Sequence, residues 1–327
     1  MSASSQFYAA TLLVYLFVYI IAATGLNLQF GVTGIFNFAF IVFQAAGAYC
    51  TAVVTLGPSA STGGFQHYIL GLSLPFPIPL LLSAVVSGLL GFGVGMLTVR
   101  RLRADYLAIV LLVVSLIATQ VATNQVGIFN GAQGLSLIPQ PFASVTSSAT
   151  VYDWIYAGIA GVIALLVWLG VRLLIDSPLG RTLRAIRENE VATASLGKNV
   201  IRLRLLVFTM GGAIAGISGS VFVQFLRVWA PSTWYYPETF VLFTAVVVGG
   251  MGSKWGPVIG ALLIPVGLGE GSRYLPQIGG PTLMPSLQWI ALGLVLLIFL
   301  WFWPGGVFPE RRRVFPGALV DDTGPMT

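Results

Sequence analysis

The sequence predicts an all-α, polytopic integral membrane protein, and three observations support this prediction. Of the 327 residues, 57% are hydrophobic and 8% are charged, whereas soluble globular proteins carry about 25% charged residues. The apolar runs are long and continuous and show no period-two alternation, which disfavours a β-barrel. Because one membrane-spanning helix needs roughly 20 predominantly apolar residues, the hydrophobic content accommodates about nine spans.

Nine apolar segments, separated by polar or Gly/Pro-rich breaks, are interpreted as transmembrane or partly broken helices of a single transmembrane domain over residues 1–327. The segments are residues 7–26, 34–56, 78–99, 104–123, 152–175, 205–226, 238–250, 257–271 and 287–303. The first has no basic region before it and no A-x-A cleavage pattern after it, so we expect an uncleaved span.

The seventh and eighth segments are too short to span a membrane comfortably, so we expect a tilted pair or broken helices there. Two interpretations stay open for the connecting residues 249–257. They form either packed irregular backbone, which survives at membrane depth only where protein or water satisfies it, or an ordinary turn.

The basic residues predict the orientation, because Lys and Arg concentrate in cytoplasmic loops. Fourteen of the sixteen fall in one set of loops: Arg100, Arg101, Arg103, Arg172, Arg181, Arg184, Arg187, Lys198, Arg202, Arg204, Lys254, Arg311, Arg312 and Arg313. Only Arg227 and Arg273 fall in the other set. We therefore expect the N-terminus outside, the C-terminus inside, and a cytoplasmic loop at 176–204 and tail at 304–327. Nine crossings, an odd number, agree with this.

Several classes of chemistry are disfavoured. The only lysines, Lys198 and Lys254, do not lie in a G-x-x-x-x-G-K-[ST] motif, so we expect no ATP hydrolysis by this chain. One cysteine, Cys50, and one histidine, His67, provide neither a disulfide framework nor a His/Cys metal cluster. With no paired nucleophile and base, we expect no enzyme and no cofactor. The net charge of +6 is interpreted as a topology signal, not as nucleic-acid binding.

The loop at 176–204 predicts two short helices. After the helix-start signal Ser177-Pro178, apolar residues recur at helical spacing on one face and arginines on another; these are Leu179, Leu183 and Ile186, and Arg181, Arg184 and Arg187. A second helix over 190–196 presents small residues, and Gly197 is placed to end it. The arginines pair with acids of a partner, bind anionic lipid head groups, or serve as a topology signal alone.

These features resemble the membrane permeases of ABC importers for branched-chain amino acids, the LivH/LivM type, and the LivM-like half more closely. The resemblance is carried by GRTLRAIRENE at 180–190 with the small residues after it, and by GLNL at 25–28, DYLAI at 105–109 and GGMGSKWGPVIG at 249–260. The chain departs from the family pattern at Ala39-Phe40, where His or Gln is common at the second position, and at Pro304-Gly305-Gly306-Val307, which lacks a basic residue.

The resemblance implies a permease subunit in the plasma (inner) membrane of a bacterium or archaeon. Its expected partners are a sister permease, forming a heterodimer, two cytoplasmic ABC ATPase subunits and an extracytoplasmic substrate-binding protein. It also implies that seven residues form the surface that docks on the ATPase: Arg184, Arg187, Glu190, Ala192, Ala194, Leu196 and Gly197. The segment 124–150 resembles the family's outer loop, a docking face for the binding protein, with a plain disordered connector as the alternative.

The translocation path is expected among polar residues in the apolar segments. Candidates are Asn37 and Gln44 on one predicted helix face and Ser115, Thr119 and Thr123 on another. Interhelical packing is the favoured explanation for both sets. The Gly-x-x-x-Gly pairs at 91/95, 212/216 and 256/260 predict close helix contacts, with hinges as the minority interpretation.

The substrate expected by resemblance is a branched-chain amino acid; other amino acids, amides and urea stay open because of the departure at Phe40. A stand-alone secondary transporter or channel for a small polar solute is the main alternative function, and a purely structural membrane subunit is a third. A stand-alone transporter should contain an intramembrane ion or proton relay. The acids Asp105, Glu238 and Glu270 instead lie near the ends of predicted spans.

Overall fold

The computed structural model describes residues 3–58, 65–102, 104–143, 146, 148–271 and 283–310, and it is helical through most of that length. The helices are α1 (Ala3–Leu26), α2 (Phe40–Thr55), α3 (Ile78–Thr98), α4 (Ala104–Asn124), α5 (Val126–Phe129), α6 (Ala149–Asp176), α7 (Pro178–Glu188), α8 (Glu190–Ser195), α9 (Val200–Leu226), α10 (Tyr236–Gly249), α11 (Gly256–Ala261), α12 (Gly269–Gly271) and α13 (Leu283–Phe302). Two π-helical segments continue α1 over Asn27–Val32 and α11 over Leu262–Leu268.

Each of the nine predicted apolar segments contains a helix, which confirms the polytopic all-α prediction. Within the described part of the chain, six helical stretches are long and apolar enough to cross a membrane: Ser5–Val32, Ile78–Thr98, Tyr106–Asn124, Thr150–Asp176, Val200–Leu226 and Pro285–Phe302. The seventh and eighth segments are broken or short, as expected: α10 has 14 residues, and the eighth is divided into α11, a π-helical segment and α12. Pro265 lies inside that π-helical segment, where its missing N–H prevents regular α-helical pairing.

The boundary between the first two segments was predicted wrongly. The first helix does not end near residue 26 but continues to Val32, and α2 begins at Phe40 instead of residue 34. Gly34 has φ +76°, a left-handed conformation that interrupts a helix, and the Asn37 side-chain oxygen accepts a hydrogen bond from Ala39 N at 3.1 Å. Residues 33–39 therefore form an irregular segment, and Asn37 does not lie on the α2 face that carries Gln44.

Helix α9 lies at the centre of the fold and packs against α1, α2 and α3. Glycines allow this close approach: a Cβ added at Gly47 of α2 would lie 2.4 Å from Gly216 Cα, and one added at Gly91 of α3 would lie 3.5 Å from Gly212 Cα. A Cβ added at Gly260 would lie 1.8 Å from Ala245 O. The prediction of close helix contacts at the Gly-x-x-x-Gly pairs is confirmed.

The connections between helices contact one another in two separate groups, one at each end of the molecule. At one end, Leu135 and Trp229 form a two-way backbone bridge, and His67 N donates to Asn130 Oδ1. The other end contains α7, α8 and the connections 27–39, 250–255 and 303–310, which bond one another as described below. This second group is called the arginine-rich end, because it carries Arg181, Arg184, Arg187, Lys198, Arg202, Arg204 and Lys254. Arg103, Arg273 and the tail from residue 311 onward lie outside the described residues.

Candidate functional site

The helical hairpin α7–α8 projects from the arginine-rich end, and its local sequence explains its shape. Ser177 Oγ accepts from Gly180 N at 3.4 Å at the start of α7, where Pro178 occupies the first turn. Leu183 and Ile186 are buried and attach α7 to the helices above it. Asn189 Oδ1 accepts from Ala192 N at 2.9 Å and begins α8. The predicted pair of short helices is confirmed.

Helix α8 presents an exposed surface with apolar side chains. Val191 and Leu196 are 76% and 79% exposed, and contiguous exposed apolar surface can mark an interaction site. Ala192 and Ala194 are exposed beside them, and Gly197, with φ +77°, ends the hairpin. We call this group, Val191, Ala192, Ala194, Leu196 and Gly197, the α8 surface.

Glu190 connects the α8 surface to the central helix of the fold. Its carboxylate accepts from Arg204 Nη1 of α9 at 2.8–2.9 Å. Thr193 faces inward and is buried, and its hydroxyl donates to Asn189 O at 2.8 Å. The short helix is therefore fixed to the body on one side and free on the other.

Arg184 and Arg187 do not lie on the α8 surface with the other predicted coupling residues. Arg184 Nη1 lies 3.1 Å from Glu310 Oε1, and Arg187 Nη2 lies 2.8 Å from Glu310 Oε2. Their remaining nitrogens donate to backbone carbonyls, from Arg184 to Ile175 O at 3.0 Å and from Arg187 to Gly31 O. The α7 arginines thus bind the chain itself. Of the other five predicted residues, Glu190 binds Arg204, and Ala192, Ala194, Leu196 and Gly197 are exposed on the α8 surface. Sequence reasoning missed Glu310; its only signal was one acidic residue directly before three arginines.

The π-helical segment Asn27–Val32 holds a buried amide cluster at the same end. Asn27 Nδ2 donates to Ser253 O at 3.0 Å, and its Oδ1 accepts from Gly252 N at 2.9 Å. Gln29 Nε2 donates to Phe208 O at 2.9 Å, and its Oε1 accepts from Asn37 Nδ2 at 2.9 Å. These contacts satisfy polar groups that are expensive to bury unpaired.

The connection 250–255 is irregular and packed. The connection bonds to Asn27 as described above. In addition, its Lys254 O accepts from Trp168 Nε1 at 2.7 Å, and Lys254 Nζ lies 2.5 Å from Asp176 Oδ1. Gly250 and Gly252 have φ +118° and +73°. Of the two open interpretations, the packed irregular segment fits this geometry better than a simple turn.

The other predicted path residues are accounted for differently. Gln44 Nε2 donates to Ser218 Oγ at 3.0 Å, which links α2 to α9. Thr119 and Thr123 donate to carbonyls one turn back in α4, at 2.9 and 2.8 Å. Ser115 Oγ is buried and has no hydrogen-bond partner among the residues that the structure describes. Gln44 therefore serves interhelical packing as favoured from the sequence, while a role of any of these residues in the path stays a prediction.

The predicted outer segment is ordered in its described part. Asn130 Nδ2 donates to Gly134 O at 2.8 Å, Gln66 Oε1 accepts from Ser136 N at 2.9 Å, and Gln66 Nε2 donates to Ser136 Oγ at 2.8 Å. Together with the Leu135–Trp229 bridge, these bonds join residues 129–138 to two neighbouring connections. Over these residues a packed cap is present instead of a disordered connector; residues 144, 145 and 147 lie outside the described chain.

The fold defines a class: multi-pass α-helical membrane proteins, here with a helical hairpin exposed at one end of the molecule. Within that class, a family model described as the permease component of the branched-chain amino acid transport system matches residues 8–300. The chain belongs to this family and is a transport component of the inner membrane. This confirms the resemblance drawn from the sequence motifs.

Individual relatives agree with the family match. The chain is 31% identical over 319 residues to the high-affinity branched-chain amino acid permease protein LivM of Escherichia coli, an alignment that covers 90% of this chain and 68% of the relative. It is 28% identical to the probable LivM of Methanocaldococcus jannaschii, covering 93% and 94%. It is 26% identical to LivH of Escherichia coli, covering 90% and 93%. No solved structure matches the chain.

Proposed function

We propose that this chain is the membrane-spanning subunit of an ATP-driven importer for branched-chain or related amino acids, and that its α8 surface receives the motion of separate ATPase subunits. The observation that carries the proposal is this exposed apolar surface, which is attached to the central helix α9 through Glu190 and Arg204. A partner can shift a conformational equilibrium only through contacts that differ between the two states. An exposed surface that is tied to α9 by an ion pair can provide such contacts.

The proposed assembly contains this chain, a sister permease, two cytoplasmic ATPase subunits and a substrate-binding protein at the opposite end. Several relatives are named as LivM and others as LivH, which supports a pair of unlike permeases. The sequence has no Walker A motif, which supports hydrolysis in partner chains. The proposed orientation places the arginine-rich end in the cytoplasm and the 129–138 cap outside.

Copurification tests this function directly. The full chain, carrying an affinity tag, is expected to bring down ATPase chains and a second permease from the membrane. Ala194→Trp adds bulk at the centre of the α8 surface and is expected to reduce the recovered ATPase by about tenfold, since interface hot spots are worth at least this much. Val126→Trp at the opposite end, where Val126 is also exposed, is the matched control and should leave recovery unchanged.

The alternative, a stand-alone secondary transporter or channel, predicts a different result. The purified chain alone would then catalyse solute flux in liposomes without ATP, and Ala194→Trp would have no effect on flux. Either result would contradict the proposed function.

A further inference from the structure

Four segments of the chain converge on one point at the arginine-rich end. They are helix α7, the π-helical segment Asn27–Val32, the connection 250–255 and the segment 303–310 that follows α13. The Glu310 carboxylate lies at this point, and its side chain is 18% exposed. We call this group of contacts the Glu310 junction.

The Glu310 carboxylate lies between two arginines of α7, so the charges at the junction are complementary. Each carboxylate oxygen binds a different arginine of α7, at 3.1 and 2.8 Å, and charge-assisted hydrogen bonds of this kind are stronger than neutral ones. Arg184 and Arg187 lie three residues apart on one helix, a spacing at which like charges repel. Glu310 therefore neutralises a repulsion within α7 and fixes the direction of both guanidinium groups.

The guanidinium groups of the two arginines also donate to backbone carbonyls, which connects α7 to the membrane helices. Arg184 binds Ile175 O near the end of α6, and Arg187 binds Gly31 O in the continuation of α1. With Glu310 in place, the hairpin is thus attached to two long helices through side chains whose geometry one carboxylate controls.

The segment 303–310 is also anchored by backbone hydrogen bonds that do not involve its ion pairs. Val307 N donates to Val248 O at 2.8 Å and Phe308 N donates to Gly249 O at 3.1 Å. These bonds hold the segment against the C-terminal end of α10. Glu310 consequently joins α10 to α7, two helices that are far apart in the sequence.

Gly252 shows how closely the junction is packed. A Cβ at this position would lie 2.7 Å from Arg187 Nη1, 2.8 Å from Glu310 Oε2 and 3.0 Å from Gly31 O. Its φ of +73° also favours glycine. The four segments meet without space for one methyl group.

From these contacts we infer that Glu310 is a positioning residue for coupling: it holds α7 so that movement of the α8 surface reaches α1, α6 and α10 together. The inference rests on the proposed function and deepens it. In this arrangement the α7 arginines act inside the subunit, and the α8 surface alone meets the ATPase.

Glu310→Gln tests the inference, because glutamine keeps the shape and removes the charge. In the copurified complex reconstituted in liposomes, we expect solute transported per ATP hydrolysed to fall by about tenfold, the factor that corresponds to one lost charge-assisted hydrogen bond. Glu310→Asp should restore at least part of it. Glu188→Gln is the matched control, since Glu188 is exposed on α7 and has no ion pair among the described residues.

Hydrogen exchange of the full chain alone provides a readout that does not depend on the partners. Glu310→Gln should increase exchange in α7, over Pro178–Glu188, while Glu188→Gln should not. Unchanged α7 exchange in Glu310→Gln would overturn the positioning role, whether or not ATPase chains copurify. Increased exchange with an unchanged ratio of transport to hydrolysis would overturn its part in coupling. Failure of the wild-type chain to recover ATPase would instead contradict the proposed function.

Discussion

At the scale of single residues, glycines determine how closely the helices approach. Gly219 of α9 faces α2 so tightly that a Cβ there would lie 1.9 Å from Gln44 O. Gly158 of α6 has no atom within 4 Å of an added Cβ. Glycine content alone therefore does not show where helices touch, since only some glycines lie at an interface.

Gly219→Val is expected to destabilise the protein by about 3 kcal/mol, because the new side chain overlaps backbone that cannot move away cheaply. Thermal unfolding of the purified chain in detergent measures the effect. Gly158→Val carries the same chemical change into open space and should be close to neutral. Equal losses in the two variants would show that the packing described for α2 and α9 is wrong.

The buried amide of Gln29 gives a second prediction at this scale. Gln29→Leu removes the bonds to Phe208 O and Asn37 Nδ2 at similar volume, so we expect a loss of about 1–2 kcal/mol in unfolding free energy. Gln120→Leu, at an exposed position of α4, is the control and should change stability little. A Gln29→Leu variant as stable as the wild type would argue against the amide cluster.

At the scale of elements, the hairpin α7–α8 has one side fixed to the body and one exposed side. Leu183, Ile186 and Thr193 face the body, and Val191 and Leu196 face solvent. The tie between Glu190 and Arg204 completes the fixed side. Because the Glu190 side chain is partly exposed, this ion pair contributes little to global stability. Its effect is to orient α8 relative to α9.

Glu190→Arg is therefore expected to uncouple transport from ATP hydrolysis while leaving the unfolding temperature nearly unchanged. The introduced charge faces Arg204 and pushes α8 away from α9. The double variant Glu190→Arg with Arg204→Glu recreates the pair in reverse and should recover coupling, measured as solute transported per ATP in liposomes. Lack of recovery in the double variant would mean that Glu190 acts through another contact.

Much of this architecture follows from the amino-acid sequence, for clear physical reasons. Nine apolar segments were identified because the cost of burying unpaired backbone in lipid demands long continuous helices. The hairpin at 177–197 was identified because capping and amphipathic spacing are local signals. Position 34 was misjudged, since the hydropathy of residues 27–40 does not reveal a π-helical turn or a glycine at φ +76°.

The candidate site was predicted less completely than the fold. The α8 residues lie in the continuous motif that carries the family resemblance, and their docking role stays a prediction. Glu310 lies 123 residues from Arg187. A pairing across that separation has no local spacing signal. For the same reason the partners of Asn27 and Gln29, which lie in other helices, could not be derived from the sequence.

At the scale of the whole molecule, the connections form two groups that bond only within their own end in the contacts described above. Nine segments of alternating direction, the arrangement predicted from the sequence, would produce such a division, and many of the basic residues lie at one of the ends. The account depends on that end facing the cell interior, where the proposed ATPase subunits would bind.

Cysteine labelling measures this orientation most directly. Leu196 is 79% exposed, so Leu196→Cys in a Cys50→Ser background places one accessible thiol on the α8 surface; the buried Thr193 would be a poor site. Val126→Cys marks the opposite end. With a membrane-impermeant maleimide, we expect intact cells to label Val126→Cys but not Leu196→Cys, and inside-out vesicles to show the reverse. Labelling of Leu196→Cys from outside intact cells would contradict both the orientation and the coupling role of α8.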